Sequence, residues 1–217
     1  MEMPFTNEEF LHVFRQYNLA VWPSQIFLNS FALLILLILF FKKSKANILI
    51  SILLAILWVW TGLIYHIFYF SSINNAAYLF GFLFIIQGVL FAYFGFIKDT
   101  LKFLPDLNFA SITGSVFILY ALIIYPVLAY AFGHTYPEMP TFGLPCPTTI
   151  FTFGILLFSV RRIPWYIITI PFLWSLLGFS AAINLSIKED FGLAIAGVSG
   201  FLILLFFQHK TGAVALK

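Results

Sequence analysis

Residues 48–70 read ILISILLAILWVWTGLIYHIFYF, a run with no Asp, Glu, Lys or Arg. As a helix rising about 1.5 Å per residue, it is long enough to cross a hydrocarbon layer of about 30 Å. The run is continuously apolar and lacks the alternation of a barrel strand, so its backbone groups must be satisfied within a helix. Six further stretches of the same kind lie at 21–41, 76–97, 110–132, 148–160, 165–185 and 191–207. The expected fold is therefore all-α, a bundle of seven transmembrane helices forming one multi-pass domain over 1–217.

Composition agrees with this. The chain is 62% hydrophobic, 20% aromatic and 9% charged, whereas soluble domains carry roughly 25% charge. A water-soluble enzyme of 217 residues cannot hide that much apolar surface. Disordered chains are polar and charge-rich, so disorder is excluded as well.

Charge placement sets the orientation. Lys42, Lys43 and Lys45 follow the first span, Lys98 and Lys102 the third, Arg161 and Arg162 the fifth, and Lys210 and Lys217 the seventh. Of the 11 basic residues only Arg15 and Lys188 fall on the other side, where Glu2, Glu8, Glu9, Glu138, Glu189 and Asp190 also lie. This pattern places the N-terminus outside and the C-terminus inside. The +3 net charge is then an orientation signal, and no clustered soluble basic surface points to nucleic acid.

Before the first span, the opening residues are acidic and do not read as a signal peptide. Thr6-Asn7-Glu8-Glu9 has the form of a capping box. Phe10, Leu11, Val13, Phe14 and Tyr17 then make an apolar stripe opposite Glu9, His12, Arg15 and Gln16. Residues 1–20 thus predict an outer interfacial helix. Trp22, Tyr69, Tyr78 and Tyr130 near outer ends, and Trp165 and Tyr166 near an inner end, fit aromatic belts.

Spans one to three and five to seven run in matching directions, with the fourth as an inverting link. Leu57-Trp58 followed by Gly62 echoes Leu173-Trp174 followed by Gly178, and Phe80-Gly81 echoes Phe191-Gly192. The arrangement is a 3+1+3 parallel repeat like that of the SWEET sugar facilitators, without their proline-glutamine motif. Chance similarity among helices rich in the same few residues is the alternative reading.

The loop 133–149, GHTYPEMPTFGLPCPTT, holds Pro137, Pro140, Pro145 and Pro147 of the 10 prolines in the chain. Proline fixes the backbone, so this loop is shaped. The span after it, 148–160, covers only about 20 Å as a helix. Either the loop dips inward or the helix runs past Arg161 and Arg162; a dipping loop would leave Thr148 or Thr149 offering hydroxyls near a helix start that favours anions or polar ligand groups. A rigid lid without a ligand is the alternative.

Three groups of residues carry a family resemblance. They are Pro4-Phe5-Thr6, Phe10, Tyr17-Asn18 and Trp22-Pro23; Tyr65-His66 with Ser71–Asn74; and His134-x-Tyr136-Pro137-x-Met139-Pro140-Thr141-Phe142-Gly143-x-Pro145-Cys146-Pro147-Thr148-Thr149-Ile150-Phe151. Nearly the whole chain resembles an uncharacterised family of bacterial integral membrane proteins, domain of unknown function 6064. The resemblance implies a bacterial inner-membrane protein and brings no activity with it.

Two sets of residues are candidates for chemistry. His66, His134, Glu138 and Cys146 combine imidazole, carboxylate and thiol at the outer face, donors that suit zinc or copper. A core cysteine and an interfacial histidine are the structural alternative. His66 lies about 6 Å inside the outer end of its span. The second set lines a pathway: Asn29, Trp58, Thr61, Gln87, Thr148, Thr149 and Trp174, with Ser175 and Ser180 nearby. Interhelical packing and polar glue are the alternative for these.

The absences narrow function further. No Asp, Glu, Lys or Arg lies within the seven spans, which disfavours a carboxylate relay and leaves His66 as the residue there that could titrate. There is no span-seven lysine for retinal, no phosphate-cradling loop and only one cysteine, Cys146. A passive facilitator of a small polar solute is the leading expectation. An outer-face metal-binding protein or metal-dependent membrane enzyme, and a structural or assembly subunit without catalysis, stand beside it, all in contact with the lipid bilayer.

Overall fold

The computed structural model describes residues 4–41 and 45–207. The readings made at Glu2, Lys42, Lys43, Lys210 and Lys217 lie outside the described residues.

The fold starts at Thr6. Its hydroxyl accepts the Glu9 N–H at 3.2 Å, and Glu9 Oε2 accepts the Thr6 N–H at 2.7 Å, completing the capping box. The Thr6 N–H and hydroxyl, both bonded to the ionised carboxylate, hold Glu9 below its usual range. Helix α1 (Asn7–Val21) buries Val13, Phe14, Tyr17 and Val21 and leaves His12, Arg15 and Gln16 exposed. The apolar stripe expected from the sequence is the face that packs. Phe14 and Tyr17 lie 6.1 and 5.7 Å from the Tyr65 ring, and Trp60 Nε1 donates to the Tyr17 hydroxyl at 2.9 Å.

Next come α2 (Ser24–Phe41), α3 (Ala46–Ser72), α4 (Ala77–Ile97), α5 (Phe109–Ala131), α6 (Pro145–Leu156), α7 (Trp165–Leu185) and α8 (Lys188–Phe206). All except α6 are long and apolar enough to cross a membrane, which gives six such helices among the described residues. Outer faces rich in Leu, Phe and Ile are exposed, as lipid-facing surfaces require, and Trp22, Tyr78, Tyr130 and Trp165 stand exposed near the helix ends.

The fifth span departs from the sequence reading of 148–160: the helix begins three residues earlier and has 12 residues, about 18 Å. Pro145 suits the first helical turn, where no N–H is needed. After Leu156 the chain continues without regular helix to a backbone pairing at the far end. There Leu104 N–H donates to the Phe158 carbonyl at 3.0 Å and Val160 N–H to the Lys102 carbonyl at 2.9 Å. Residues 142–158 are all buried except Cys146. Helix α6 is apolar on every side because it is the centre of the bundle; α3, α5, α7 and α8 pack around it.

Close backbone approach brings the helices together. A Cβ added at Gly62 would lie 2.7 Å from the Gly81 carbonyl oxygen, and one at Gly114 would lie 2.6 Å from that of Gly154. Small residues permit such crossings between apolar helices. In α7, Pro171 has no N–H for the carbonyl four residues earlier. That carbonyl, of Ile167, instead accepts Gln87 Nε2 from α4 at 2.9 Å.

The proline-rich loop dips inward. Thr61 Oγ1 lies 2.8 Å from the Leu57 carbonyl and 3.0 Å from that of Gly143. Thr61 is about 16 Å along α3 from its end at Ser72. Gly143 takes φ +99°, open to glycine, and an added Cβ would meet Leu28 at 2.4 Å. The upper part of the loop is held by Asn18, which is fully buried. Its Nδ2 donates to the carbonyls of Pro137 (2.7 Å) and Met139 (2.8 Å), and its Oδ1 accepts Gln25 Nε2 (2.7 Å) and Thr141 Oγ1 (2.9 Å). Replacing Asn18 by Ala strands four partners, of which Gln25 is buried and Pro137, Met139 and Thr141 are half-buried. We expect a loss of about 2–4 kcal/mol and faster proteolysis within 133–141, read by thermal unfolding and limited digestion in detergent.

Candidate functional site

A cavity of about 370 Å³ lies beneath α1 and beside the proline loop. Phe5, Phe10, Phe14, Phe70 and Phe80 form much of its wall, and Tyr65, Tyr125, Cys146, Trp174 and Asp190 bring polar atoms to it. Each comes from a different constraint. Tyr65 lies on the wide-turned stretch of α3 over Thr61–Tyr69, Cys146 sits between two prolines at the start of α6, and Asp190 precedes Phe191 at the opening of α8. Wide turns of this kind are frequent at functional sites.

The acid pair before the last span corrects the sequence reading, which placed Glu189 and Asp190 in an outer loop. Both are buried, at 0% and 5% exposure. A short turn over Lys188–Asp190 tucks them under the loop instead of turning them to solvent. The Tyr125 hydroxyl donates to Asp190 Oδ1, and Cys146 lies beside the same carboxyl. Glu189 Oε1 sits 2.7 Å from His134 Nδ1, the Tyr120 hydroxyl donates to the Glu189 carbonyl at 2.7 Å, and Glu189 Oε2 has no partner.

The four residues chosen as metal ligands go to separate partners. Glu138 pairs with Arg15 at 3.2 Å on the surface, and His134 pairs with Glu189. His66 is fully buried among aromatic rings, 4.7 Å from Phe84 and 4.9 Å from Trp174. Cys146 lies beside Asp190. No group of three or more His, Cys, Asp and Glu is placed to hold a metal among the described residues. Both ring nitrogens of His66 are unpartnered, so the thiol has no imidazole base bonded to it.

The pathway candidates divide into two sets. Asn29 is exposed and bonds back to the Gln25 carbonyl at 2.8 Å. Thr61 is used in holding Gly143, and Trp58 stacks on Phe84 at 4.4 Å while donating to Thr152 Oγ1 at 2.9 Å. By contrast, Gln87 Oε1, Thr148 Oγ1, Thr149 Oγ1 and Trp174 Nε1 are buried with no hydrogen-bond partner, as are both His66 nitrogens. Native interiors leave few such groups, and each marks a place needing explanation. Trp174 lines the cavity, while Gln87, Thr148, Thr149 and His66 lie among the surrounding helices.

The family of unknown function DUF6064 matches residues 7–215. The chain belongs to this family. No curated protein and no solved structure matches it. In this DUF6064 chain, the long loop motif quoted from the sequence is the segment that Asn18 and Thr61 hold and that delivers Cys146 to the cavity. Sequence reasoning missed Asn18, Tyr125 and Asp190 as site residues. The available signal was an acidic pair abutting an apolar run, where one turn of helix decides between water and interior.

Cys146 is the only cysteine, so labelling reports on the cavity without ambiguity. Methyl methanethiosulfonate is expected to modify Cys146, a polymer-linked maleimide is not, and Phe10→Ala should speed the small reagent several-fold. Mass spectrometry of the intact DUF6064 chain checks all three outcomes.

Proposed function

We propose that the protein is a passive facilitator for a small polar solute with an apolar portion, and that the cavity under α1 is its entry chamber. The observation that carries this reading is the set of buried, unpartnered polar atoms. Trp174 Nε1 borders the chamber, and His66, Gln87, Thr148 and Thr149 supply further donors and acceptors within the bundle. Such groups are costly in a purely packed core, because burial removes their water bonds. They suit a solute or water passing between helices.

Phe84 is the barrier in this reading. It stands between Trp58 at 4.4 Å and Trp174 at 5.1 Å, below the chamber. The two tryptophans that the 3+1+3 repeat would equate thus flank one ring, an arrangement that supports the repeat. Pro171, which opens the α7 ladder where Gln87 binds, supplies a place for α7 to flex.

We place the protein in a bacterial inner membrane with Lys98, Lys102, Arg161 and Arg162 facing the cytoplasm. The chain crosses seven times, with α6 and its extended tail as the fifth crossing. A phosphatase fused after Gly133 should be active, and one fused after Arg162 should be inactive; the reverse pattern overturns the orientation.

The transport test uses purified protein in liposomes and a panel of neutral, cationic and anionic small solutes. Saturable uptake of at least one, raised several-fold by Phe84→Ala and lowered by Gln87→Leu, is the expected result. Uptake no greater than that of empty liposomes across the panel rejects the facilitator reading for those solutes.

A further inference from the structure

We propose that the cavity takes an organic cation, an ammonium group carried on an apolar or aromatic body. The proposal deepens the facilitator reading in that it names the solute class of the same chamber. It rests on three features of the lining.

The first is charge. Asp190 is the one acidic side chain that lines the cavity, and no Lys, Arg or His does. Nearby basic side chains are engaged elsewhere: Arg15 with Glu138, His134 with Glu189, and Lys188 over the Phe132 ring at 5.3 Å. The Tyr125 hydroxyl donates to Asp190 Oδ1 and the Cys146 thiol bonds the same carboxyl, both neutral donors that bring no positive charge. Glu189 Oε2, one residue away, is also unpartnered. A buried carboxylate without a cation is unfavourable, and a ligand ammonium supplies the missing charge.

The second is the ring content. Phe10, Phe14, Phe70, Phe80, Tyr65 and Trp174 face the same space. Their π faces are negative, and they hold ammonium groups by cation–π attraction that strengthens when water is excluded. Trp174, the best of these rings for a cation, is oriented by Phe80 at 5.5 Å and Phe84 at 5.1 Å.

The third is size and polarity. A volume of about 370 Å³ with mostly apolar walls accepts a small amphipathic molecule, while a bare inorganic ion would find one carboxylate and little else. An anion would meet Asp190 and the π faces without a counter-charge.

The test compares phenethylammonium, 2-phenylethanol and phenylacetate, which share a ring and chain length and differ in head charge. Each is titrated calorimetrically into the full-length protein in nanodiscs. We expect the cation to bind at least about tenfold tighter than the alcohol, with phenylacetate weakest. Asp190→Asn should abolish that preference and leave the alcohol affinity within about twofold, since the Tyr125 bond can persist. The unmutated chain gives a second readout: phenethylammonium should protect Cys146 from methyl methanethiosulfonate, and equal 2-phenylethanol should protect it far less. Equal affinities for cation and alcohol, preference for the anion, or no binding by any of the three overturns the proposal. Flux and binding fail separately. Cation binding without uptake in liposomes rejects the facilitator reading and retains the cation site, whereas uptake of neutral solutes without cation preference does the reverse.

Discussion

Backbone that is not helical cannot face hydrocarbon, because lipid offers no partner for a free N–H or C=O. The arrangement of this protein follows from that constraint acting on one segment, residues 133–144. The loop enters the bundle, so its carbonyls must find donors inside the protein. Asn18 supplies them for Pro137 and Met139, and Thr61 for Gly143. Both donors come from elements far away in sequence, which ties α1 and α3 to the loop. The same logic explains Gln87, whose amide answers the carbonyl that Pro171 leaves free in α7.

Once the loop is inside, α6 need not be long. It begins at depth and spends its 12 residues in the centre, buried on all sides. The surrounding helices then close on it through glycine contacts such as Gly114 against Gly154. The cavity is the space left between the loop, α1 and α7. Helix α1 matters here because its aromatic face supplies Phe10 and Phe14 to the wall. A helix that the sequence marks as interfacial is therefore also part of the chamber.

Electrostatics gives the chamber its character. Asp190 and Glu189 are drawn under the loop by a short turn; the Tyr125 hydroxyl and Cys146 thiol bond the Asp190 carboxyl, the His134 imidazole bonds one Glu189 oxygen, and Glu189 Oε2 is left unmatched. In a low-dielectric surrounding an unmatched carboxylate or polar atom is far more consequential than on a water-exposed surface. The unpartnered His66, Gln87, Thr148, Thr149 and Trp174 atoms belong to the same class of feature. They lie where helices from both halves of the chain meet.

Much of the fold was legible in the residues. Continuous apolar runs, the Thr6–Glu9 cap, the stripe from Phe10 to Tyr17 and the shaping of a proline-rich loop are local properties of order, period and backbone restriction. Gln87, Thr148, Thr149 and Trp174 stand out in the sequence as polar groups in apolar runs, and each has a buried atom without a partner. The length of α6 was not, since an apolar run does not mark where helix yields to extended backbone. Nor were the separate partners of His66, His134, Glu138 and Cys146, or the burial of Asp190 beside Tyr125, 65 residues away along the chain. The sequence by itself determined a set of membrane-length helices preceded by an amphipathic N-terminal helix, because hydrophobic length and periodicity are one-dimensional. Only the tertiary structure decided which polar groups meet and which are left unmatched, because that depends on helices brought together by packing across the whole chain.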